Sequence, residues 1–333
     1  MRVFHLSQPF IVKMSTILVL IIYLSSLSGC KRTDSVKKSA GTDAKLHGTI
    51  TLSGAFALYP MTVKWAEEFR KLHPDVRIDI SAGGAGKGMA DALSGTVDLG
   101  MFSREIMPAE KERDVWWIAV TKDAVLPTIS ARNPVINELK KQGVTQVQFR
   151  AMFIDETLRD WGELLGSVPK APIHLYTRSD ACGAAGTWAQ YLGGVQEDLH
   201  GIGVYGDPGL AEAVKKDPLG IGYNNTIYIY SAGTNQKYPG LEVIPIDINA
   251  NGRIDPEEDF YDSMTAMMAA IAAGRYPSPP ARELYFVARG KPESPVVCEF
   301  LKWILSEGQP YVSSAGYVPL SREVISEQLE KLR

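Results

Sequence analysis

A strand, a glycine turn and an amphipathic helix follow one another before Pro74, and this unit constrains the fold more than any other stretch. The predicted strand covers Thr49–Leu52 and the turn covers Ser53–Ala55. The helix that follows has apolar residues at i, i+4, i+8 and i+11, which share one face: Met61, Trp65, Phe69 and Leu72. It ends before the proline, because proline cannot continue a helix. The unpaired N–H groups at such a helix start can hold an anion, whereas an ordinary βα unit without a ligand is the alternative.

The composition is that of a soluble globular protein with two domains, or with one domain of two lobes. The chain has 333 residues, of which 45% are hydrophobic and 22% are charged. A net charge of −3 and the lack of a basic tract argue against nucleic acid as a partner. The three cysteines, Cys30, Cys182 and Cys298, are too few for a disulfide framework.

The N-terminal segment predicts export from the cytoplasm. An uncharged run over residues 14–29 is short for a membrane span but suits the apolar region of a signal peptide. It ends in Leu-Ser-Gly-Cys, which resembles the bacterial lipoprotein box, whose cysteine carries the lipid. We expect residues 1–30 to be a lipoprotein signal peptide, Cys30 to be the lipid anchor and residues 31–45 to be a polar tether. The protein would then lie outside the cytoplasm, in the periplasm or at the cell surface; an uncleaved membrane anchor is the alternative.

A second glycine-rich turn lies between a predicted strand and a predicted helix. The strand is Val76–Ile80, the glycine run is Gly83–Gly88 and the helix is Met89–Leu93. A backbone without Cβ atoms can approach a ligand closely, which would make this turn a second anion site. The spacing does not match a Walker loop, and a structural turn without a ligand is the alternative.

Together these segments resemble the periplasmic phosphate-binding proteins of ABC importers. The resemblance rests on the Tyr-Pro helix start, the glycine-rich loop and the Gly-Thr-Val-Asp-Leu-Gly-Met-x-Ser-Arg-Glu segment at Gly95–Glu105. It continues through Arg282–Val287, Phe300–Gln309 and Ala315–Leu320, and it covers roughly residues 47–325.

The resemblance implies an α/β fold of two lobes joined by two crossing hinge strands, the type II periplasmic-binding-protein fold. It assigns residues 46–124 and 284–333 to the first lobe and residues 125–283 to the second lobe. The crossing strands would lie near residues 123–129 and 284–287. A ligand bound between such lobes can hold them closed.

The implied function is that of a lipid-anchored solute-binding protein that captures an oxyanion, phosphate first, and delivers it to an ABC permease. We expect a monomer without enzymatic activity. Arg178 and Asp180 match the oxyanion-binding arginine and aspartate of the family; a surface ion pair is the alternative. Asn224 and Asn225 either line the cleft or turn the chain. The implied ligand-binding residues are Ala55, Phe56, Ala57, Ala85, Gly86, Lys87, Ser103, Arg104, Arg178, Asp180, Cys182, Gly183 and Ala184.

Several positions in and beside this set lack the small hydroxyl residues that the family carries. The altered positions are Ala55, Phe56, Ala57, Ala85, Phe102, Cys182 and Ala184. If the alignment with the family contains a gap here, Gly186-Thr187 rather than Cys182 and Ala184 would match the family's serine and threonine positions. Each lost hydroxyl removes a hydrogen bond of about 0.5–1.5 kcal/mol. Two alternatives follow: a larger or less charged ligand that stacks on Phe56 or Phe102, and a sensor or adaptor that has lost its ligand.

Residues 247–258 in the second lobe fit the twelve-residue loop of EF-hand calcium sites. Oxygen-bearing side chains stand at positions 1, 3, 5, 9 and 12, with glycine at 6 and isoleucine at 8. The predicted ligands are Asp247, Asn249, Asn251, the carbonyl of Arg253, Asp255 through water and Glu258. The preceding segment, Leu241–Ile246, predicts a strand rather than a helix. We therefore expect a structural calcium ion with an affinity of about 10⁻⁴–10⁻³ M or tighter.

No arrangement of side chains in the sequence predicts catalysis. The five histidines are scattered and none has a metal-ligand spacing. Cys182 and His174 lie at opposite ends of one predicted strand and turn, which argues against a hydrogen-bonded nucleophile pair.

Overall fold

The structure is a computed structural model that describes residues 45–166 and 170–333. The predicted signal peptide, Cys30 and all but the last residue of the predicted tether lie outside the described residues. Within the described ranges, no helix has the length and apolar character that a membrane span requires.

The chain opens with the strand, glycine turn and helix expected from the sequence. Strand β1 is Gly48–Gly54 and helix α1 is Tyr59–Leu72. The buried face of the helix carries Met61, Trp65 and Phe69. Leu72 was predicted to share this face but is 60% exposed, because the helix ends there at the protein surface.

The remaining elements alternate between strands and helices. Next along the chain come β2 (Val76–Ala82), α2 (Ala85–Ser94), β3 (Leu99–Phe102), α3 (Pro108–Lys111) and β4 (Val115–Ser130). The middle of the chain forms α4 (Ile136–Gln142), α5 (Gln146–Phe153), α6 (Trp161–Leu165), β5 (His174–Arg178), α7 (Gly183–Tyr191), a 3₁₀ turn (Gln196–Asp198), β6 (Ile202–Val204), α8 (Asp207–Lys216), β7 (Gly220–Asn225), α9 (Thr226–Ile229), β8 (Tyr230–Ser231), β9 (Gln236–Lys237) and β10 (Leu241–Val243). The last part forms α10 (Met264–Ala272), β11 (Ala281–Arg289), α11 (Pro295–Leu305), α12 (Pro310–Ser314) and α13 (Arg322–Glu330).

The two longest strands, β4 and β11, lie side by side in the middle of the sheet. Within the described residues the strand order is β2-β1-β3-β11-β4-β7-β5-β6, with β10 beside β4. β1 pairs in parallel with β2 and β3, and β5 pairs in parallel with β6 and β7. β11 runs antiparallel to both β3 and β4. β4 pairs with β11 along residues 115–124 and with β7 along residues 125–129, so it passes from one half of the sheet to the other.

Two hydrophobic clusters fill the two halves of the molecule. One draws on residues 50–120 and 284–332, and the other on residues 124–281 together with Val318. We call these halves the first and second lobe. β4 contributes to both clusters and β11 runs beside it. The predicted α/β fold of two lobes with two crossing strands is confirmed.

Candidate functional site

The carboxyl ends of the parallel strands from both lobes face one another. In the first lobe, β1, β2 and β3 end at Gly54, Ala82 and Phe102. In the second lobe, β5 and β7 end at Arg178 and Asn225. Ligands of open α/β sheets bind beyond the carboxyl ends of the strands, so the contact between the lobes is the candidate site.

The turn after β1 presents one side chain to the second lobe. Ala55 and Ala57 are buried in the core of the first lobe. Phe56 is partly buried and crosses to the other lobe, where its ring centroid lies 5.6 Å from the guanidinium carbon of Arg178. It also meets the ring of Tyr205 edge-on at 6.0 Å. Of the three residues predicted here, Phe56 is the one whose side chain reaches the candidate site.

The glycine-rich loop brings the backbones of the two lobes together. Helix α2 begins at Ala85, before the predicted start, so Gly86 and Gly88 are helical. The predicted helix start was too late, because the glycines were read as a turn. They instead let the first turn of α2 pack directly on the sheet, where a Cβ at Gly88 would be 2.4 Å from the carbonyl oxygen of Met101. The N–H of Gly86 donates to the carbonyl of Ala181 in the second lobe at 3.1 Å.

Lys87 and Arg104 are held by partners within the first lobe. Lys87 forms an ion pair with Asp91, one turn further along α2. Arg104 donates to both carboxylate oxygens of Glu110, at 2.7 and 2.8 Å, and lies over the ring of Phe102. Phe102 itself is fully buried, so it offers no surface on which a ligand could stack.

Arg178, the last residue of β5, has a completely buried side chain and two carboxylate partners. Its Nε and Nη2 donate to Asp180 at 2.9 and 2.6 Å, and its Nη1 donates to Asp207 at 2.5 Å. Burial acts to lower the pKa of Arg178, but the neighbouring carboxylates outweigh it and hold this pKa above its usual value. The ion pair is therefore buried rather than on the surface, and two carboxylates face one guanidinium.

A second buried ion pair, which was not predicted from the sequence, continues from Asp207. Arg282 on β11 donates to Asp123, its register partner on β4, at 2.9 Å. Asn225 links the two pairs, because its amide donates to Asp207 at 2.5 Å and its oxygen accepts from Arg282. Arg282 also donates to the hydroxyl of Thr187 at 3.0 Å. A continuous polar network therefore runs from the end of β5 to the crossing strands.

The sequence contained a partial signal for this network. Asn224 and Asn225 both hold Asp207, since Asn224 donates to its backbone carbonyl at 3.1 Å. Arg282 lies near the start of β11, just before the apolar run of residues 284–288, and a charge so close to a buried run indicates a specific partner. Thr187 lies within α7 against Arg282, so the gapped alignment does not place a hydroxyl at the start of that helix.

Helix α7 begins directly after Cys182, whose sulfur caps it. The sulfur accepts a hydrogen bond from the N–H of Ala185 at 3.3 Å, in the way that a serine hydroxyl would. Burial raises the pKa of Cys182 to about 12, so the thiol is neutral at ordinary pH. His174 lies at the other end of β5 and bonds to Asp217 at 2.7 Å. These two residues therefore form no nucleophile pair.

A cavity lies beside a very close approach between the lobes. A Cβ at Gly183 would lie 2.2 Å from the Oγ of Ser103, and the next residue, Ala184, is buried. The adjoining cavity has a volume of about 350 Å³. Its walls include residues of both lobes: Gly86, Arg104, Glu105, Ala181, Cys182 and Gln190. Three of the predicted ligand residues therefore share this cavity.

Two further hydrogen bonds join the lobes, one at the cavity and one beside Phe56. Gln190 of α7 donates to Glu105 at 3.0 Å, and Tyr228 of α9 donates to the carbonyl of Phe56 at 2.9 Å. The described arrangement is thus one in which the two lobes are closed on each other.

The predicted calcium ligands lie outside this cleft, in the segment of the second lobe between β10 and α10. Among the described residues, no group of three or more His, Cys, Asp and Glu side chains gathers in a metal-binding arrangement. Of the predicted calcium ligands, only three are side chains of these types, namely Asp247, Asp255 and Glu258. The other three ligands are two side-chain amides and one backbone carbonyl.

Two α/β lobes, crossing strands and buried charges at the interlobe contact define a bilobal ligand-binding protein. The family model described as the PBP superfamily domain matches residues 39–308. The chain belongs to this superfamily, and the resemblance predicted from the sequence is confirmed.

Relatives match most of the chain. The phosphate-binding protein PstS of Bacillus subtilis is 24% identical over 316 residues, which cover 93% of this chain and 94% of the relative. PstS of Pseudomonas aeruginosa is 25% identical over 312 residues, with coverage of 86% and 87%. A Clostridium perfringens structure, described as a phosphate ABC transporter substrate-binding protein with bound phosphate, has a TM-score of 0.67 at 21% identity. It covers 82% of this chain and 100% of that one, and it shares the fold.

Proposed function

We propose that this protein captures an oxyanion, with phosphate as the first candidate, between its two lobes and delivers it to an ABC importer. Relatives named as phosphate-binding proteins match nearly the whole chain, which supports this class of ligand. The proposed location is outside the cytoplasm, where a lipid on Cys30 and the tether of residues 31–45 would hold the protein at a membrane. The protein acts as a monomeric binding protein and not as an enzyme.

The observation that carries this proposal is the position of Arg178. It matches the oxyanion-binding arginine of the family and lies completely buried at the carboxyl end of β5. Helix α7 starts close by, at Gly183, and its first N–H groups favour an anion. From the first lobe, the first turn of α2, whose Gly86 contacts Ala181, faces the same region. An oxyanion that enters between opened lobes would therefore meet a guanidinium and two helix starts.

Binding requires an exchange of partners at Arg178. In the closed arrangement, Asp180 and Asp207 take up its donors. An oxyanion that keeps a proton can donate to one carboxylate while it accepts from the guanidinium, whereas an oxyanion without a proton is repelled by both carboxylates. Hydrogen phosphate meets this condition and sulfate does not. We therefore propose a preference for phosphate over sulfate.

Calorimetric titration of the mature chain with phosphate, sulfate, molybdate and tungstate tests this proposal. We expect phosphate to bind, sulfate to bind weakly or not at all, and Arg178→Ala to abolish phosphate binding. Arg77→Ala is a matched control, because Arg77 is an exposed arginine near the start of β2. An Arg178→Ala variant with wild-type phosphate affinity would show that the site has been assigned wrongly.

A second candidate function is a surface sensor or adaptor of the same fold, with a different ligand or none. The observation that favours it is the same ion pair, because Asp180 and Asp207 occupy Arg178 and Phe56 covers it. A thermal-shift screen with the four oxyanions and with nucleotides separates the two functions. A melting temperature that no oxyanion raises would favour the adaptor, and a rise with phosphate would favour transport.

A further inference from the structure

We infer that residues 247–258 bind a calcium ion that fixes this part of the second lobe. Gly252, at the sixth position, has a φ of +79°, the left-handed turn that a calcium loop needs there. Asp247, at the first position, accepts from the N–H of Gly252 at 2.9 Å. Glu258, at the twelfth position, accepts from the N–H of Ile248 at 2.9 Å. The first and last carboxylates of the motif therefore both turn into the loop.

These two carboxylates are buried without a cationic partner. Asp247 is 3% exposed and Glu258 is 5% exposed. Across the described residues, neither forms an ion pair with a lysine, arginine or histidine; the cation of the loop, Arg253, is exposed and pairs with Asp255 at 2.9 Å. Backbone N–H groups satisfy their hydrogen bonds but supply no full positive charge, and buried carboxylates are normally paired or bound to a metal. A divalent cation would supply the missing charge.

The exposed side of the loop gathers further oxygen ligands. The Oδ2 of Asp255 accepts from the side-chain amides of Asn249 and Asn251 at 3.0 and 2.7 Å. Rotation of an amide by half a turn exchanges its nitrogen for its oxygen, which calcium prefers. With the two buried carboxylates and one backbone carbonyl, the loop offers the hard oxygen set that distinguishes calcium from softer metals.

The loop is fixed to the end of helix α4, which indicates a structural ion. The N–H of Ile254, at position eight, donates to the carbonyl of Lys141 at 2.8 Å. The N–H of Asp247 donates to the carbonyl of Val144 at 3.2 Å. Gly143 completes the contact, because a Cβ there would lie 2.4 Å from the Cδ1 of Ile254. An ion in the loop would therefore stabilise α4 and the loop together and would open no groove.

The test is a titration of the mature, EDTA-treated protein with calcium chloride, followed by calorimetry and by melting temperature. We expect one ion per chain, a Kd of about 10⁻⁴ M or tighter, a melting temperature that rises with calcium concentration, and a weaker response to magnesium chloride. Glu258→Gln should weaken calcium binding by about tenfold or more, because it removes the ligand that binds with both oxygens. Glu257→Gln makes the same charge change at an exposed neighbour and should bind calcium like the wild type.

Two results would overturn the inference, and a third would contradict its ligand set. One is wild-type protein with neither calcium heat nor a calcium-dependent melting temperature. The other is a Glu257→Gln variant that loses as much calcium affinity as Glu258→Gln. If circular dichroism shows that Glu258→Gln does not fold, Asn251→Ala removes an exposed ligand instead. Wild-type calcium affinity in a folded Asn251→Ala variant would also contradict the predicted ligand set.

Discussion

The ring of Phe56, carried by the first lobe, lies over the guanidinium of Arg178 in the second lobe, 5.6 Å from ring centroid to guanidinium carbon. The same ring lies against Gly206, where a Cβ would be 3.3 Å from its Cζ. The carbonyl of Phe56 accepts a hydrogen bond from Tyr228 at 2.9 Å. Closure of the lobes therefore places an aromatic ring on the group that we propose for oxyanion binding, at a position where the family carries a small hydroxyl residue.

Replacing this ring by a hydroxyl should strengthen oxyanion binding. In Phe56→Ser, the hydroxyl can donate to the oxyanion, and hydrogen bonds to charged groups contribute about 1.5–3 kcal/mol. We expect phosphate affinity to rise by about tenfold or more. The free energy of unfolding should fall by about 1–2 kcal/mol, because the cation–π contact and the partly buried ring are lost. Calorimetry with phosphate and urea denaturation measure the two effects.

Phe56→Leu is the matched control for this variant. Leucine keeps apolar bulk but has neither the ring nor a hydroxyl, so its phosphate affinity should change less than that of Phe56→Ser. A weaker phosphate affinity in Phe56→Ser than in the wild type would contradict the prediction, and it would show that the ring contributes to the ligand site.

Gly86→Ala tests closure without a change in the charged residues. A Cβ at this position would lie 2.7 Å from that of Ala181, so the lobes could not approach as closely as they do. The first lobe should keep its stability, because alanine favours the helix that Gly86 helps to begin. We expect a larger radius of gyration in small-angle X-ray scattering, and a phosphate affinity lower by about tenfold.

The control for this variant is Gly233→Ala, in an exposed turn where the nearest atom, the Oγ of Ser231, is 3.8 Å from the added Cβ. It should behave like the wild type in both measurements. A Gly86→Ala variant with wild-type dimensions and wild-type phosphate affinity would show that closure does not depend on this contact.

The fold could be predicted because the spacing of apolar residues and glycines reports local structure. The unit from β1 to α1 and both crossing strands follow from such patterns. Most of the polar network could not be predicted, because its partners, apart from the pair of Arg178 and Asp180, are distant in the sequence. Arg178 and Asp207 are 29 residues apart, and Arg282 and Asp123 are 159 residues apart. Sequence alone does not show which of the 38 acidic residues faces a given arginine.

Helix α2 starts earlier than predicted, and this changes the surroundings of one predicted site residue. Lys87 was predicted to bind the anion as part of a glycine loop. Because α2 already begins at Ala85, Lys87 and Asp91 stand one turn apart on the same helix and form an ion pair. Glycines hide such a helix start, since they are poor helix formers whose placement here reflects close contact with the sheet.

Asp207→Asn tests the charge of the buried network, which contains three aspartates and two arginines. The amide oxygen can still accept from Arg178, but one ion partner is lost, so we expect the free energy of unfolding to fall by about 1–3 kcal/mol. Phosphate affinity should rise, because one repelling charge is gone. In urea denaturation, phosphate should therefore restore more stability to Asp207→Asn than it adds to the wild type.

Asp217→Asn serves as the control for this prediction. It removes the carboxylate that pairs with His174 at 2.7 Å, at the opposite end of β5 from Arg178. Its response to phosphate should equal that of the wild type. If the phosphate response of Asp207→Asn is also unchanged, then the carboxylate of Asp207 does not oppose the bound oxyanion.

The buried thiol of Cys182 should make stability depend on pH in the alkaline range. Burial raises its pKa to about 12 in the folded protein, whereas an unfolded chain has a thiol pKa of about 8.5. The folded state therefore holds the proton to higher pH than the unfolded state. The resulting contribution to stability is complete below about pH 8.5 and is lost as the pH rises toward the folded value, with about 2 kcal/mol lost by pH 10.

Cys182→Ser removes this titration and keeps a cap for α7, because a serine oxygen can accept from the N–H of Ala185 as the sulfur does. Urea denaturation at pH 7 and at pH 10 should show a smaller loss of stability for Cys182→Ser than for the wild type. Cys298→Ser, which changes a partly exposed thiol, should keep the wild-type pH dependence. An equal loss in the wild type and Cys182→Ser would mean that water reaches the thiol, and hence that the lobes in solution are more open at the start of α7 than the closed arrangement.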